Sequence, residues 1–246
     1  MGKIPAPDIP GGSVVRKLIL SVAALLAVVP LLAGAVDKPG QAAIASAHFM
    51  ATEAGHEILA KGGNAFDAAI AVSAALAVVE PTSSGIGGGG FWLLHRAEDE
   101  FQVMVDAREM APGAAHKDMY LDENGEVNRD LAVNGPLAGG IPGEIAGMEH
   151  LAEHYGRLPL SVSLQPAIRI AREGFAVDEK FHALMKWRIK TIKRWPAGSE
   201  AFLADGEMPP VGHIIKLPDL AWVLEQVAEH GAAGFYTGPV AEKIVK

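Results

Sequence analysis

The sequence is organised around residues 80–91, EPTSSGIGGGGF, in which five of the twelve residues are glycine. An alanine-rich apolar run, residues 65–79, precedes this stretch, and a short apolar run, residues 91–94, follows it. Because glycine loses more backbone entropy on folding than other residues do, this density is expected only where backbone packs against backbone or adopts a positive φ. The stretch therefore predicts a tightly packed turn between a buried helix and a strand.

A phosphate-binding loop is the alternative interpretation of these glycines. A P-loop runs from strand to helix and ends in G-K-[ST], so that a lysine and a helix N-terminus face the anion. Here the predicted order is helix, loop, strand, and Gly90 is followed by Phe91 and Trp92 rather than by lysine. We also expect no helix N-terminus at this loop, so the pattern favours a structural turn over a nucleotide site.

The composition excludes several classes of function. The chain has 246 residues, of which 50% are hydrophobic, and this is enough for one large domain with a substantial core. Its formal charge of −8 argues against nucleic acid or an anionic membrane as a partner. Since the chain has no cysteine, disulfides, thiol catalysis and thiolate metal sites are excluded.

Residues 1–35 have the pattern of an export signal. A positive flank precedes an apolar run, residues 18–32, and Ala33-Gly34-Ala35 then offers the small residues of a cleavage site. The alternative is an uncleaved anchor, because the apolar run approaches bilayer-spanning length, but Pro30 and the small residues favour cleavage. We expect residues 36–246 to act in the periplasm or outside the cell, with no stable membrane association.

The long apolar helix has clear start and stop signals. Asn64 stands immediately before it and Asp67 follows three residues later, as in a capping box with aspartate in place of glutamate. Glu80 precedes Pro81, and a residue before proline is pushed out of the helical region. The apolar residues occur nearly all round the helix, so we expect residues 65–79 to be buried.

Strands are predicted early in the chain and helices later, which indicates an α+β fold. Predicted strands lie at residues 41–46, 91–95 and 101–105. Further helices are predicted at residues 144–154, 164–173, 181–195 and 220–230.

A five-residue pattern suggests a metal site. Residues 150–154, HLAEH, match H-x-x-E-H, in which two histidines one turn apart bind zinc. Glu225 would be a possible third ligand for His150 and His154, but nothing in the sequence selects it over other acidic residues. The function that this pattern would indicate is a zinc peptidase, but the pattern is short and an exposed helix face is the favoured explanation.

Arg108 is the candidate binding residue, because it follows the second predicted strand of the early pair. A guanidinium fixed at a strand end presents a rigid fork of donors that suits a carboxylate. A local ion pair with Asp106 or Glu109 is the alternative. No G-x-S-x-G motif is present and none of the four threonines is marked as a nucleophile, so the residues alone show no complete catalytic constellation.

Seven blocks of the sequence, taken together and in order, resemble the γ-glutamyltranspeptidase (glutathione hydrolase) family. The blocks are GGNAFDAA (62–69), the glycine-rich stretch (80–91), DAREMAP (106–112), GIPG (140–143), YGRLP (155–159), QPA (165–167) and AREGF (171–175). The resemblance runs from about residue 40 to the last residue. The export signal of that family agrees with residues 1–35.

The resemblance implies an N-terminal-nucleophile hydrolase with an αββα sandwich, incomplete in this chain. Such a precursor cleaves itself, and the threonine that begins the small subunit attacks the γ-glutamyl amide of glutathione or a related compound. The acyl-enzyme then passes to water or to an acceptor amine. The arginine of the family's D-x-R-E-M-A-P block binds the substrate α-carboxylate, which assigns that role to Arg108. No cofactor or metal is implied.

One departure from the family decides what is expected of the chain alone. The nucleophile of the family lies in a T-T-H block, and no threonine here is followed by threonine or histidine. We therefore expect residues 36–246 to be part of a large-subunit domain, to hold no catalytic residue and to be inactive without the small subunit. A non-catalytic partner subunit that supplies only binding surface is the alternative.

Overall fold

The structure, a computed structural model, describes residues 42–246, so the predicted export signal lies outside the described residues. In chain order the elements are α1 (Phe49–Ala60), α2 (Ala65–Val79), β1 (Gly90–Arg96), β2 (Phe101–Ala107), α3 (Arg129–Asn134), a short 3-10 helix (Pro136–Ala138), α4 (Glu144–His154), α5 (Leu160–Ser163), α6 (Gln165–Glu173), β3 (Phe175–Ala176), α7 (Glu179–Ile192), α8 (Pro196–Phe202), β4 (Ile214–Ile215), α9 (Pro218–His230), α10 (Ala233–Tyr236) and α11 (Gly238–Ile244). The predicted α+β class is confirmed. Between residues 42 and 246 no helix combines the length and the apolar character that crossing a bilayer requires.

Helix α2 lies at the centre of the hydrophobic core, as the sequence predicts. Its Ile70, Ala74 and Val78 are fully buried, and the helix packs against α1, α4 and α6. Its many alanines let neighbouring backbones approach closely: a Cβ added to Gly55 of α1 would lie 2.8 Å from Cγ2 of Val72. The alanine-rich composition thus sets the spacing of the core helices.

The predicted capping box is confirmed, and it also anchors a distant loop. Asn64 Oδ1 accepts a hydrogen bond from the Asp67 backbone N–H at 3.0 Å, and Asp67 Oδ2 accepts one from the Asn64 N–H at 2.8 Å. The fully buried Asp67 carboxylate also accepts from the N–H groups of Arg157 and Leu158, at 3.0 and 3.3 Å. One side chain therefore fixes the start of α2 and the segment after α4.

Strands β1 and β2 form an antiparallel hairpin in which Gly90 pairs with Ala107 and Arg96 with Phe101. The predicted alternation of β2 is confirmed, since Phe101, Val103 and Val105 are half-buried while the residues between them are exposed. The exposed face carries the apolar side chains of Phe91, Leu93 and Met104 together with polar ones.

Three predictions of secondary structure are wrong for physical reasons that the structure shows. Residues 42–46 of the predicted first strand form irregular backbone and pair with no strand in the described part of the chain. Helix α9 begins at Pro218 and not at the predicted residue 220, because the fixed φ of proline suits the first helical position and its missing N–H costs nothing there. Helix α7 begins earlier than predicted because Asp178 Oδ1 caps it by accepting from the Phe181 N–H at 2.6 Å.

We predict that Asp67→Ala lowers the free energy of unfolding by about 3 kcal/mol, because several buried backbone N–H groups lose their acceptor. Urea denaturation followed by circular dichroism measures this loss. Glu123→Ala, in an exposed turn, is the control and leaves the unfolding free energy nearly unchanged. A loss at position 67 no larger than that of the control contradicts the anchoring role.

Candidate functional site

The end of strand β2 is held between two glycine-containing segments. A Cβ added to either Gly89 or Gly143 would overlap the carbonyl oxygen of Ala107, so both positions require glycine for the approach. The two segments also bond to each other, since Gly88 O accepts from the N–H groups of Gly143 and Glu144 at 2.9 and 3.2 Å. The predicted packed turn is thus confirmed, and it clamps the strand end.

The N-terminus of α4 therefore lies at the glycine-rich stretch, where the sequence predicted no helix N-terminus. Helix α4 begins at Glu144, whereas β1 follows the glycine-rich stretch directly at Gly90, so the helix and the stretch are far apart in the sequence. Inspection of neighbouring sequence alone could not reveal this contact. The helix N-terminus donates to a backbone carbonyl, Gly88 O, so this contact is a packing contact.

Further hydrogen bonds fix the chain on either side of this clamp. Met110 and Ile141 exchange two backbone hydrogen bonds, of 3.1 and 2.8 Å. The hydroxyl of Tyr236 donates to Pro142 O at 2.8 Å and accepts from the Ala146 N–H at 3.2 Å. These contacts tie residues after β2 to the start of α4 and to α10.

Arg108 stands directly after the clamped strand end, as predicted, and its side chain is 70% exposed. Its Nε lies 3.8 Å from Glu109 Oε2, which is beyond hydrogen-bonding distance. Asp106 Oδ1 accepts from the backbone N–H of Arg108 at 3.0 Å, and not from the guanidinium. Within residues 42–246 the local ion pair is thus weak, and the guanidinium keeps its donors for another partner.

Glu144, at the first position of α4, is a site residue that the sequence analysis missed. It is only 9% exposed, and burial raises the pKa of its carboxyl to about 7, with a further contribution from the nearby charge of Glu109. Both carboxylates line a cavity of about 560 Å3 over the glycine-rich stretch. A glutamate in the first turn of a helix is usually solvated, so no local pattern indicates that Glu144 is buried.

The zinc hypothesis is not supported by the geometry. The rings of His150 and His154 stack with centroids 4.1 Å apart, and His154 Nδ1 lies 3.0 Å from the carbonyl oxygen of His150. Glu225 is held elsewhere by Arg172, whose Nε donates to its Oε1 at 2.8 Å. In the described part of the chain no three acidic or histidine side chains converge as metal ligands.

Comparison with known proteins places these features in a family. A family model described as Gamma-glutamyltranspeptidase matches residues 51–246. The glutathione hydrolase proenzyme of Escherichia coli K12 is 38% identical over 207 residues, which cover 84% of this chain and 36% of that protein. Glutathione hydrolase 3 of Arabidopsis thaliana is 40% identical over 195 residues, or 79% of this chain and 30% of that protein. The chain thus spans about a third of the length of these relatives.

A solved structure shows the same fold. The crystal structure of Helicobacter pylori gamma-glutamyltranspeptidase superposes with a TM-score of 0.79 at 38% identity, and the match covers 84% of this chain and 60% of that one.

We predict that Gly89→Ala lowers the free energy of unfolding by about 2 kcal/mol, because the new methyl group overlaps the backbone at Ala107. Gly113→Ala is the matched control, since a Cβ there meets only open space. Urea denaturation of both variants measures the difference. Equal stabilities of the two variants contradict the close approach.

We predict that Glu144→Gln removes a pH dependence of stability. The pKa of Glu144 is raised from 4.5 to about 7 in the folded state, so folding favours its protonated form. Its contribution is present below about pH 4.5 and is lost as the pH rises through about 7. At about pH 8 the glutamine variant should be more stable than the parent by about 2 kcal/mol, and at about pH 4 the two should be alike.

Urea denaturation between these pH values provides the measurement, with Glu123→Gln as the exposed control. A Glu144→Gln curve parallel to the parent curve contradicts the burial of an ionisable group.

Proposed function

The chain belongs to the gamma-glutamyltranspeptidase family, and from this premise we propose that the protein to which it contributes cleaves the γ-glutamyl amide of glutathione and related compounds. The γ-glutamyl group passes to water or to an acceptor amine. The observation that carries the proposal within this chain is the exposed guanidinium of Arg108 on a clamped strand end.

Arg108 serves in this proposal as the ligand of the substrate α-carboxylate. A guanidinium offers two parallel N–H donors to a carboxylate, and this pairing is stronger and more directional than that of an ammonium. The backbone at Ala107 is fixed by Gly89 and Gly143, whereas the guanidinium itself is free of close hydrogen bonds among the described residues. Substrate binding therefore requires little reorganisation of the protein.

The attacking group is proposed to lie in the part of the relatives that this chain does not span. The E. coli and Bacillus subtilis relatives are named proenzymes, which supports a precursor that is processed into two subunits. A threonine hydroxyl of the small subunit would add to the γ-carbonyl carbon, and its proton would pass through an amine base to the leaving nitrogen. The resulting ester is then opened by water or by an amine. This chain alone would show no turnover, and turnover by it would contradict the assignment.

The hairpin supports the proposed αββα sandwich. Its outer face exposes Phe91 by 52%, Leu93 by 78% and Met104 by 62%. A sheet packed between a helical layer and a second sheet carries apolar side chains on both faces, and these three residues place such side chains on the outer face of the hairpin. We propose that the second sheet is supplied by the rest of the protein, and that residues 1–35 direct its export.

The test replaces Arg108 in the full-length enzyme. Arg108→Gln should lower kcat/KM for a γ-glutamyl anilide by roughly 100-fold, chiefly through KM, because a charge-assisted pair of hydrogen bonds is lost. For an analogue that lacks the α-carboxylate, 4-aminobutanoyl anilide, the parent and the variant should have nearly equal kcat/KM. Steady-state release of the aniline measures both.

Arg129→Gln, at an exposed arginine that begins α3, is the matched control and should behave as the parent. An equal loss on both anilides would show that Arg108 acts through the fold and would contradict carboxylate binding.

A further inference from the structure

The cavity over the glycine-rich stretch has a composition that the role of Arg108 does not explain. Its volume is about 560 Å3, which is enough for a small organic molecule. Among its lining residues are the carboxylates of Glu109 and Glu144 and the apolar side chains of Leu76, Pro81 and Trp92.

Glu144 is nine-tenths buried in this cavity and lacks a partner. In the described part of the chain no donor forms a hydrogen bond with its carboxylate. Its Oε2 faces the glycine-rich stretch, where a Cβ added to Gly90 would lie 2.9 Å from it. Glu109 Oε1 faces the same stretch, 3.1 Å from a Cβ added to Gly88. A carboxylate that is buried without a partner is costly, so a donor that enters the cavity would stabilise the ionised form of Glu144.

The charges around Glu144 identify the sign of the missing group. Burial raises the pKa of the Glu144 carboxyl, and repulsion from Glu109, after β2, raises it further. Burial likewise raises the pKa of the Tyr236 hydroxyl in α10, and the charge of Glu144 adds to that shift. The Nε atom of Arg108 lies 3.8 Å from Oε2 of Glu109. An anion would be repelled by both carboxylates, whereas a cation would relieve their repulsion.

The walls favour an organic cation over a metal ion. The hydroxyl residues Ser73, Thr82, Ser83 and Ser84 also line the cavity, but no three acidic or histidine side chains of the described chain converge there as metal ligands. Leu76 and Trp92 instead offer apolar surface to an alkyl chain, and the Trp92 ring also suits an ammonium group. We propose that this cavity binds the ammonium group of a small organic amine, with Glu144 and Glu109 as its anionic partners.

Binding of the amine is coupled to the ionisation of Glu144. The ammonium N–H groups donate to the two carboxylates, and Glu144 releases its proton to solvent where it was protonated. Affinity therefore increases as the pH rises through about 7. This site binds by charge and shape and needs no turnover, so its test is independent of the proposed γ-glutamyl chemistry.

The test is isothermal titration of the full-length protein with three probes of similar shape: butylammonium, 1-butanol and butyrate. Butylammonium keeps its charge between about pH 5.5 and about pH 8.5, so it should bind about tenfold more tightly at the higher pH. Butanol should bind more weakly than butylammonium and independently of pH. Butyrate should bind least.

Glu144→Gln and Glu109→Gln should each weaken butylammonium binding about tenfold, and Glu144→Gln should also remove its pH dependence. Glu123→Gln, on the exposed turn, is the matched control and should bind as the parent does. Thermal unfolding of each variant shows whether it is folded.

Three outcomes would overturn the proposal. The first is butyrate binding as tight as that of butylammonium, and the second is equal affinity for butanol and butylammonium. The third is an absence of butylammonium binding to the folded full-length protein, which would mean that a side chain from elsewhere already neutralises Glu144.

Discussion

The contact of Ala107 O with two glycines is the constraint on which the candidate site depends. Gly89 and Gly143 come from segments far apart in the chain, and both press their backbones on this one carbonyl. Because no side chain intervenes, the end of β2, the glycine-rich stretch and the start of α4 form one rigid junction. The side chain of Arg108 extends from this junction into solvent, whereas the side chain of Glu144 is buried.

Two buried carboxylates illustrate how the same group serves structure or binding. Asp67 is fully buried and accepts backbone hydrogen bonds from Asn64, Arg157 and Leu158, so its charge is satisfied within the fold. Glu144 is almost as buried, yet in the described part of the chain its carboxylate accepts none. The first arrangement stabilises a junction between segments. The second leaves a buried charge that a ligand can satisfy.

Local signals in the sequence predicted local features well. The capping box could be predicted from Asn64 and Asp67 because its hydrogen bonds join residues that are close in the sequence. The alternation of apolar residues in β2 likewise predicted that Arg108 follows the end of a strand. The partners of Asp67 beyond the helix, Arg157 and Leu158, lie some 90 residues away and have no local signal.

The wrong or missing predictions concern features that depend on contacts between residues far apart in the sequence. The burial of Glu144 depends on the glycine-rich stretch that covers it, and the pairing of Glu225 with Arg172 depends on the packing of α9 against α6. The first predicted strand was wrong because an apolar run forms a strand only where a neighbouring strand supplies hydrogen bonds. The family resemblance supplied the role of Arg108, which neither spacing nor charge could assign.

The structure of the full-length protein with glutamate bound is the most direct test of the central claim. We expect the α-carboxylate to accept hydrogen bonds from the Arg108 guanidinium at about 2.7–2.9 Å, with Ala107 O still in contact with Gly89 and Gly143. A carboxylate bound by other groups while Arg108 stays in solvent would contradict the account. So would a carboxylate that Arg108 reaches only after the strand end moves away from the two glycines.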